Sequence, residues 1–538
     1  MTCLSNTKNI VELLNLPDEM ILSIMNKVKP RELLLYSIIG IGNNRLEQLA
    51  LDQCHSIDLT FDYCHSPHEI IIKQLISSTF VCIFNSIESL SINVKHLPRL
   101  VHMAKTIDDK NCLNLKYLKI MAGRFYSNTG TPYTIDSYYD NQLRNFPLFS
   151  IVPQLFYLDT INDRLVSLFR FSPIIRSIIF FEFDPDCGLS IRSGDEELFF
   201  SQSPNITHIS ITLRQFDDCI CLLNQLGSQL YSFTVTIIHV RLSKELNKQI
   251  TLISCPNLKQ LKMIMYRNIT LYEQCIIPLL QRFTSIEHLT LLLAIGVNGI
   301  GPDHFIDGLD LERDIVLYMP HLRQFYFHIR SILQYSPHIE LDTIRQSFFR
   351  QQQPIDCALD YFSNQYGQCQ IYSLPFIGTR LDFISNKFPL FDVEKRFLNV
   401  TMLLLFDDVK PFENVFFERV TRALPRLKTL QVFNQLEQEE KSNMTINSIE
   451  FPHLSSLILH DIHMNYAEQL VCRTRLPCLV ELVIRNDALL TIINQDQQQA
   501  KNNCSKVETL VIVEPWIKPS TVHLSFFPNL LLKFFDIV

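Results

Sequence analysis

The chain has 538 residues, 47% hydrophobic and 19% charged, with a net charge of −7 at neutral pH. That length exceeds one compact core and requires several domains or a repeat array, while the acidic balance excludes the broad basic surface that nucleic-acid binding needs. The longest apolar runs, such as Leu291 to Ile295, fall far short of a membrane span. No secretory leader is expected either, because Lys8 is the one lysine before Pro17 and no continuous apolar block accompanies it. The expectation is a soluble cytoplasmic chain, with the nucleus open to it. The 15 cysteines, scattered and odd in number, read as reduced core thiols.

Pro17 and Asp18 open a helix in which Met20, Ile21, Ile24, Met25 and Val28 recur at three- and four-residue steps on one face. Pro30 ends it and starts a second helix that is apolar nearly all round, at Leu33, Leu34, Leu35, Tyr36 and Ile38. A third short helix is expected over Arg45 to Leu51. So small a bundle cannot bury all that apolar surface in its own core, so part of it is left for a partner.

Leu16-Pro17-x-Glu19, Ile21, Leu22, Ile24, Val28, Leu33, Leu34 and Ser37 together resemble an F-box, the motif that docks on the Skp-type adaptor of a cullin-RING ubiquitin ligase. The resemblance covers the first 52 residues and implies that those ten positions face the adaptor. After Ser37 the chain departs from it, with Ile39-Gly40-Ile41-Gly42 where the family ends in Val-Cys-Lys-Arg-Trp.

Ser56 to Phe61 alternates as a first strand, and His68 to Phe84 has helical spacing. One phrase then returns along the chain: apolar, two variable, apolar, one variable, apolar. It begins at Ile87, Leu115, Ile206, Leu230, Leu258, Ile286, Leu322, Leu427, Leu454, Leu479 and Val507, with two steps of 28 from Leu230 to Ile286. This phrase is similar to the leucine-rich repeat, in which each unit gives one strand to a curved parallel sheet. Alternation sends Leu118, Ile120, Leu261, Met263, Leu289, Leu291, Leu457 and Leu459 inward. It sends Ser91, Lys119, Ser210, Thr234, Lys262, Thr290, Tyr326 and Gln431 outward, a mostly uncharged row that suits a protein or peptide better than a polyanion.

Tyr272 to Phe283 and Glu413 to Leu424 read as helical return arms. Arg124 to Phe149 reads as a long loop, Gln435 to Asn447 and Asn494 to Asn503 as exposed polar arms, and Phe526 to Phe535 as an end cap. The period is lost over about 328–396, although Ile371 to Phe376 and Phe397 to Phe406 still read as strands. The expected fold is therefore α/β, a three-helix module over 1–52 followed by a leucine-rich-repeat-like solenoid over 53–538 with a parallel concave sheet.

Catalytic chemistry has little to stand on. With 13 glycines, the chain offers no phosphate cradle beyond Gly40-x-Gly42. Cys54, His55, Cys64, His65 and His68 lack the spacing of a structural zinc site, and Cys219-x-Cys221 is weaker still. His208 and His288 sit at equivalent outward positions. Asp217-Asp218 and Asp407-Asp408 read as turn chemistry. No cofactor, metal, nucleic acid or membrane is expected, and the chain is not expected to be an enzyme. F-box plus repeats is similar to the substrate receptors of SCF-type ligases, which implies an adaptor, a cullin and an unidentified protein substrate as partners. The alternative is a non-catalytic scaffold with a vestigial F-box.

Overall fold

The computed structural model describes residues 13–27, 38, 42–52, 56–59, 87–93, 96–97, 114–121, 178–183, 188–191, 205–240, 246–296, 304–349, 353–363, 365–390, 397–439, 449–513 and 526–528. These fall into two compact units: one holds the described residues up to 262 together with 282–286, the other 263–281 and those from 287 onward. Both are α/β, with large and mostly parallel sheets. Val28, Leu33, Leu34 and Ser37, the expected second helix, the helix over His68 to Phe84, the Cys/His group from Cys54 to His68 and the loop from Arg124 to Phe149 lie outside the described residues, as does most of the expected end cap.

Among the described residues the first unit opens with the helices Asp18–Lys27 and Asn44–Asp52. Gly42, at φ +80, turns the chain into the second, donating its amide to Glu47 Oε1 at 2.8 Å while Asn43 Oδ1 accepts from the Leu46 amide at 3.1 Å. These bonds satisfy the free amides of a helix start. Arg45 reaches back to the first helix, giving 2.5–2.8 Å bonds to Asp18 Oδ1 and the carbonyls of Leu14 and Leu16.

Six strands follow: β1 (Ser56–Leu59), β2 (Ser89–Asn93), β3 (Tyr117–Met121), β4 (Phe180–Phe183), β5 (His208–Gln215) and β6 (Ser232–His239), each parallel to the next in chain order. Register aligns Ile57, Leu90, Leu118, Phe181, Ile209 and Phe233 in one buried row. The strand β4 carries a further copy of the phrase, Ile178-x-x-Phe181-x-Phe183, with Phe at both strand positions as in the copy that begins at Leu322. Gln260–Ile269 (β7) belongs to the first unit up to Lys262 and to the second from Met263.

A backbone device links the start of each strand to the next. One carbonyl accepts the two amides that lead into the next strand: Glu88 O from Lys116 and Tyr117, Lys116 O from Ile179 and Phe180, Ile179 O from Thr207 and His208, Thr207 O from Tyr231 and Ser232. The second unit repeats it at Thr379, Thr401, Lys428, Ser455 and Val480. Each carbonyl has two lone pairs, so the stack leaves no amide unpaired where the chain enters the sheet.

In the second unit β8 (His288–Ile295) and β9 (Gln324–Gln334) are parallel, but β11 (Tyr366–Ser373) runs antiparallel to β9 and β10 (Ile355–Tyr361) antiparallel to β11. These antiparallel pairs fall in the section of about 328–396 where the period is lost, and they interrupt the parallel sheet expected of the solenoid. A second sheet then runs parallel and in chain order through β12 (Arg380–Ile384), β13 (Met402–Phe406), β14 (Thr429–Asn434), β15 (Ser456–Ile462), β16 (Glu481–Arg485) and β17 (Thr509–Val513). Leu403, Leu405, Leu430, Val432, Leu457, Leu459, Leu482 and Ile484 form its inner face in one core with Phe388, Phe412 and Phe417.

The return arms divide between expectation and correction. Asn414–Ala423 is a helix with Phe416 and Val420 buried, as the spacing of Val415, Phe416, Val420 and Leu424 predicts, but Val415 is exposed and Phe417 is buried instead; Tyr272–Ile276 forms a π-turn that continues as helix Ile277–Leu280. The arm from Asn494 to Asn503 falls in helices Asn486–Gln495 and Gln498–Cys504; Asn494 to Gln498 are exposed as expected, but Ala500 is buried. Asn503 is buried there. It donates to the carbonyls of Val471 and Thr474 at 2.8 and 2.6 Å and accepts from the Leu476 amide at 2.9 Å. A side-chain amide with its bonds filled can be buried without loss, so a polar run does not have to face water.

Candidate interaction surfaces

Two surfaces emerge in the first unit. The helix Asp18–Lys27 has two apolar faces. Ile21 and Met25 are buried, whereas Met20 and Ile24 are 52% and 41% exposed and Pro17 lies open beside them. Leu13 and Leu14 extend that exposed stripe. Of the residues expected to face an adaptor, Pro17, Glu19 and Ile24 are exposed and Leu16 and Leu22 half-buried. Ile21 is a correction: it is fully buried and does not belong to the exposed stripe.

The second surface is the outward side of the strands. Register sets Asp58, Ser91, Lys119, Glu182, Ser210 and Thr234 side by side on β1–β6. Lys259 and Gln260 both donate to Tyr231 O, the same pattern that pairs His208 with Ser232, and it places Lys262 beside Thr234. All of the expected outward positions in this unit are half-buried, the condition of a surface row flanked by neighbours. Glu182 is held twice, by the Lys119 ammonium at 2.7 Å and by the Tyr117 hydroxyl. Burial, and then the bond to Glu182, keeps the Tyr117 phenol protonated far above its ordinary range.

One position earlier on the same face lies a row of rings. Tyr117, Phe180 and His208 stand at the first residue of β3, β4 and β5, with Phe180 4.2 Å from His208 and 6.4 Å from Tyr117, centre to centre. Tyr231 continues the row 5.4 Å from His208. Phe180 is 40% and Tyr231 44% exposed. Burial lowers the His208 pKa, and Thr207 Oγ1 sits 2.8 Å from its Nδ1. Such spacings are those of favourable tilted ring pairs. Strand alternation singles out His208 but not this ladder, which register across strands creates.

In the second unit Thr290 lies beside Tyr326, both half-buried, and His288 Nδ1 is 3.0 Å from Gln324 Oε1. Gln431 is a further correction. It is 1% exposed, because its register neighbours on the outward side of the second sheet are the buried Leu404 and Ile458. Its Oε1 has no hydrogen-bond partner among the described residues.

The sequence also hid a buried polar cluster in this unit. His328 Nε2 lies 3.0 Å from Gln370 Oε1, Gln368 Nε2 donates to Phe383 O at 2.9 Å, Ser385 Oγ donates to Asp360 at 2.5 Å, and Arg380 Nε lies 2.7 Å from both Asp382 oxygens. Phe383 sits at a bulge in β12 with φ +55, a conformation costly for a side-chain-bearing residue, and the Arg330 guanidinium lies 4.4 Å from its ring centre. Burial pushes the His328 pKa down to about 4 and the Asp360 carboxyl up to about 6. The bonds link β9, β11, β10 and β12 around the bulge, and both members of the Ser385–Asp360 pair are buried.

The acid pairs are turn chemistry as read. Asp218 caps the helix Phe216–Leu226, accepting from the Ile191 and Gln215 amides, and Asp407 accepts from Asn386, Val409 and Lys410. Cys219 is a buried free thiol pushed up by burial. Among the described residues no cluster of acid, His and Cys side chains could hold a metal ion, and no helix is long and apolar enough to cross a membrane.

No family model matches the chain, and no curated protein matches it. Among solved structures it is similar to an LRR protein of Leptospira interrogans, at 10% identity over 84% of this chain and 91% of that chain, with a TM-score of 0.22.

Proposed function

We propose that this chain is the substrate-recognition subunit of an SCF-type ubiquitin ligase, with an F-box module at its start and a leucine-rich-repeat-like array behind it. The module binds the Skp-type adaptor, and through it the cullin; the strand faces bind a protein substrate; the chain contributes no catalytic group. It works by raising the effective concentration of the substrate near the ubiquitin-charged enzyme. The observation that supports this reading best is the second apolar face of Asp18–Lys27. Ile21 and Met25 already supply the module's core, so Pro17, Met20 and Ile24 remain for a partner.

Affinity capture of purified adaptor by the full chain tests the reading. Ile24→Asp places a carboxylate in the middle of the interface and should abolish capture, since an unpaired buried charge costs several kcal/mol. The circular dichroism of the variant should match the parent. A chain that ignores the adaptor, or one that captures it equally well with Ile24→Asp, refutes the receptor role; the first result leaves the scaffold with a vestigial F-box.

A further inference from the structure

The charges on the first unit's outward face are not equally engaged. Glu182 is occupied by Lys119 and Tyr117, and Glu88 by Lys116 at 3.3 Å. Lys262 is different. It stands half-buried next to Thr234, and no carboxylate among the described residues pairs with it. An ammonium partly removed from water and left unpaired favours an anion brought to it, and burial accordingly lowers its pKa. Diagonally across the neighbouring strands lies the ring row of Phe180, His208 and Tyr231, with Phe180 and Tyr231 exposed.

We infer that this face binds an extended peptide carrying an aromatic side chain over the Phe180–His208–Tyr231 row and, three or four residues away, a carboxylate on Lys262. The spacing follows from sheet geometry. Two strand steps of about 4.8 Å and two residues of about 3.3 Å separate His208 from Lys262, a diagonal of about 12 Å, which an extended peptide covers in three to four residues. A polyanion would need several free cations in a row, and Lys119 and Lys116 are already paired. The inference rests on the reading of the strand face as the substrate surface.

An array of immobilised Ser/Gly decapeptides, each with one Phe and one Glu at separations from adjacent to six apart, probed with the full chain, tests it. Binding should concentrate at separations of three and four. Lys262→Glu should weaken those peptides about tenfold, equivalent to about 1.4 kcal/mol, and shift preference to the matching Phe/Lys peptides. Phe180→Ser with Tyr231→Ser should remove binding of both sets, while the unfolding temperature stays within that of the parent for these surface positions. No binding to any peptide, binding indifferent to the position of Glu, or Lys262→Glu with an unchanged preference each overturns the assignment. Adaptor capture by the same preparation is read separately, so loss of this site and loss of the receptor role are told apart.

Discussion

The strands of the first unit and those of the second unit's second sheet are written in the same phrase, yet their outward faces differ. On β2–β6 the outward row of Ser91, Lys119, Glu182, Ser210 and Thr234 stays half-open. On β13–β15 the matching row of Leu404, Gln431 and Ile458 is buried. The inner positions are the same in both, because alternation and stacking decide them. The outward face is decided by what stands at neighbouring positions: small or charged residues in the first case, Leu404, Ile458 and Phe433 around Gln431 in the second. Inward burial is therefore a property of the repeat, and a binding face is a property of the particular row.

A matched pair of substitutions breaks or sustains that contrast most strongly. Ile458→Asp should destabilise its unit by about 3 kcal/mol or more, since the new carboxylate is buried without a partner. Thr234→Asp, at the equivalent outward position of β6, should change stability by no more than about 0.5 kcal/mol. Urea denaturation followed by circular dichroism compares the two; equal losses would mean that the two faces are equally closed.

A second effect, no larger than the first, comes from Asp360 in the polar cluster. Its carboxyl titrates near 6 in the fold, raised chiefly by burial, against an ordinary 3.8. The folded state therefore holds the proton more tightly, so stability present below about pH 4 is lost as pH rises to about 6 and is level above that. The size is on the order of 2–3 kcal/mol, because each tenfold gain in proton affinity is worth about 1.4 kcal/mol. Asp360→Asn should remove this slope and raise stability at neutral pH, as denaturation between pH 4 and 8 will show; an unchanged slope would assign it to other groups.

The smallest expected effect is a gain. Gln431→Leu replaces an unpartnered buried carbonyl with an apolar group between Leu404 and Ile458, and should stabilise by up to about 1 kcal/mol. A loss would show that the Gln431 amide has a partner worth keeping.

What the sequence disclosed follows from the same contrast. The inward residues were legible because a period of two is unambiguous on a strand and one face of each copy is apolar. The antiparallel β9–β11–β10 group was legible only as a strand at Ile371 to Phe376, since Gln368 and Gln370 read as surface residues yet are buried, bonded to His328, Asp360 and the Phe383 carbonyl. Asn503 misled for the same reason. Of the candidate surfaces, the outward row could be listed from alternation alone. The ring row could not, because Tyr117, Phe180, His208 and Tyr231 become neighbours only through register across strands far apart in the chain. Ile21 shared the helical spacing of Ile24, and spacing alone does not say which of two apolar faces is turned inward.

Hydrogen–deuterium exchange on the full chain with and without purified Skp-type adaptor tests the receptor account most directly. The account predicts slowed exchange over residues 13–27, where the exposed stripe lies, with the strands β2–β6 unchanged. Exchange over 13–27 that is the same with and without adaptor, or protection falling on the strands instead, would contradict it.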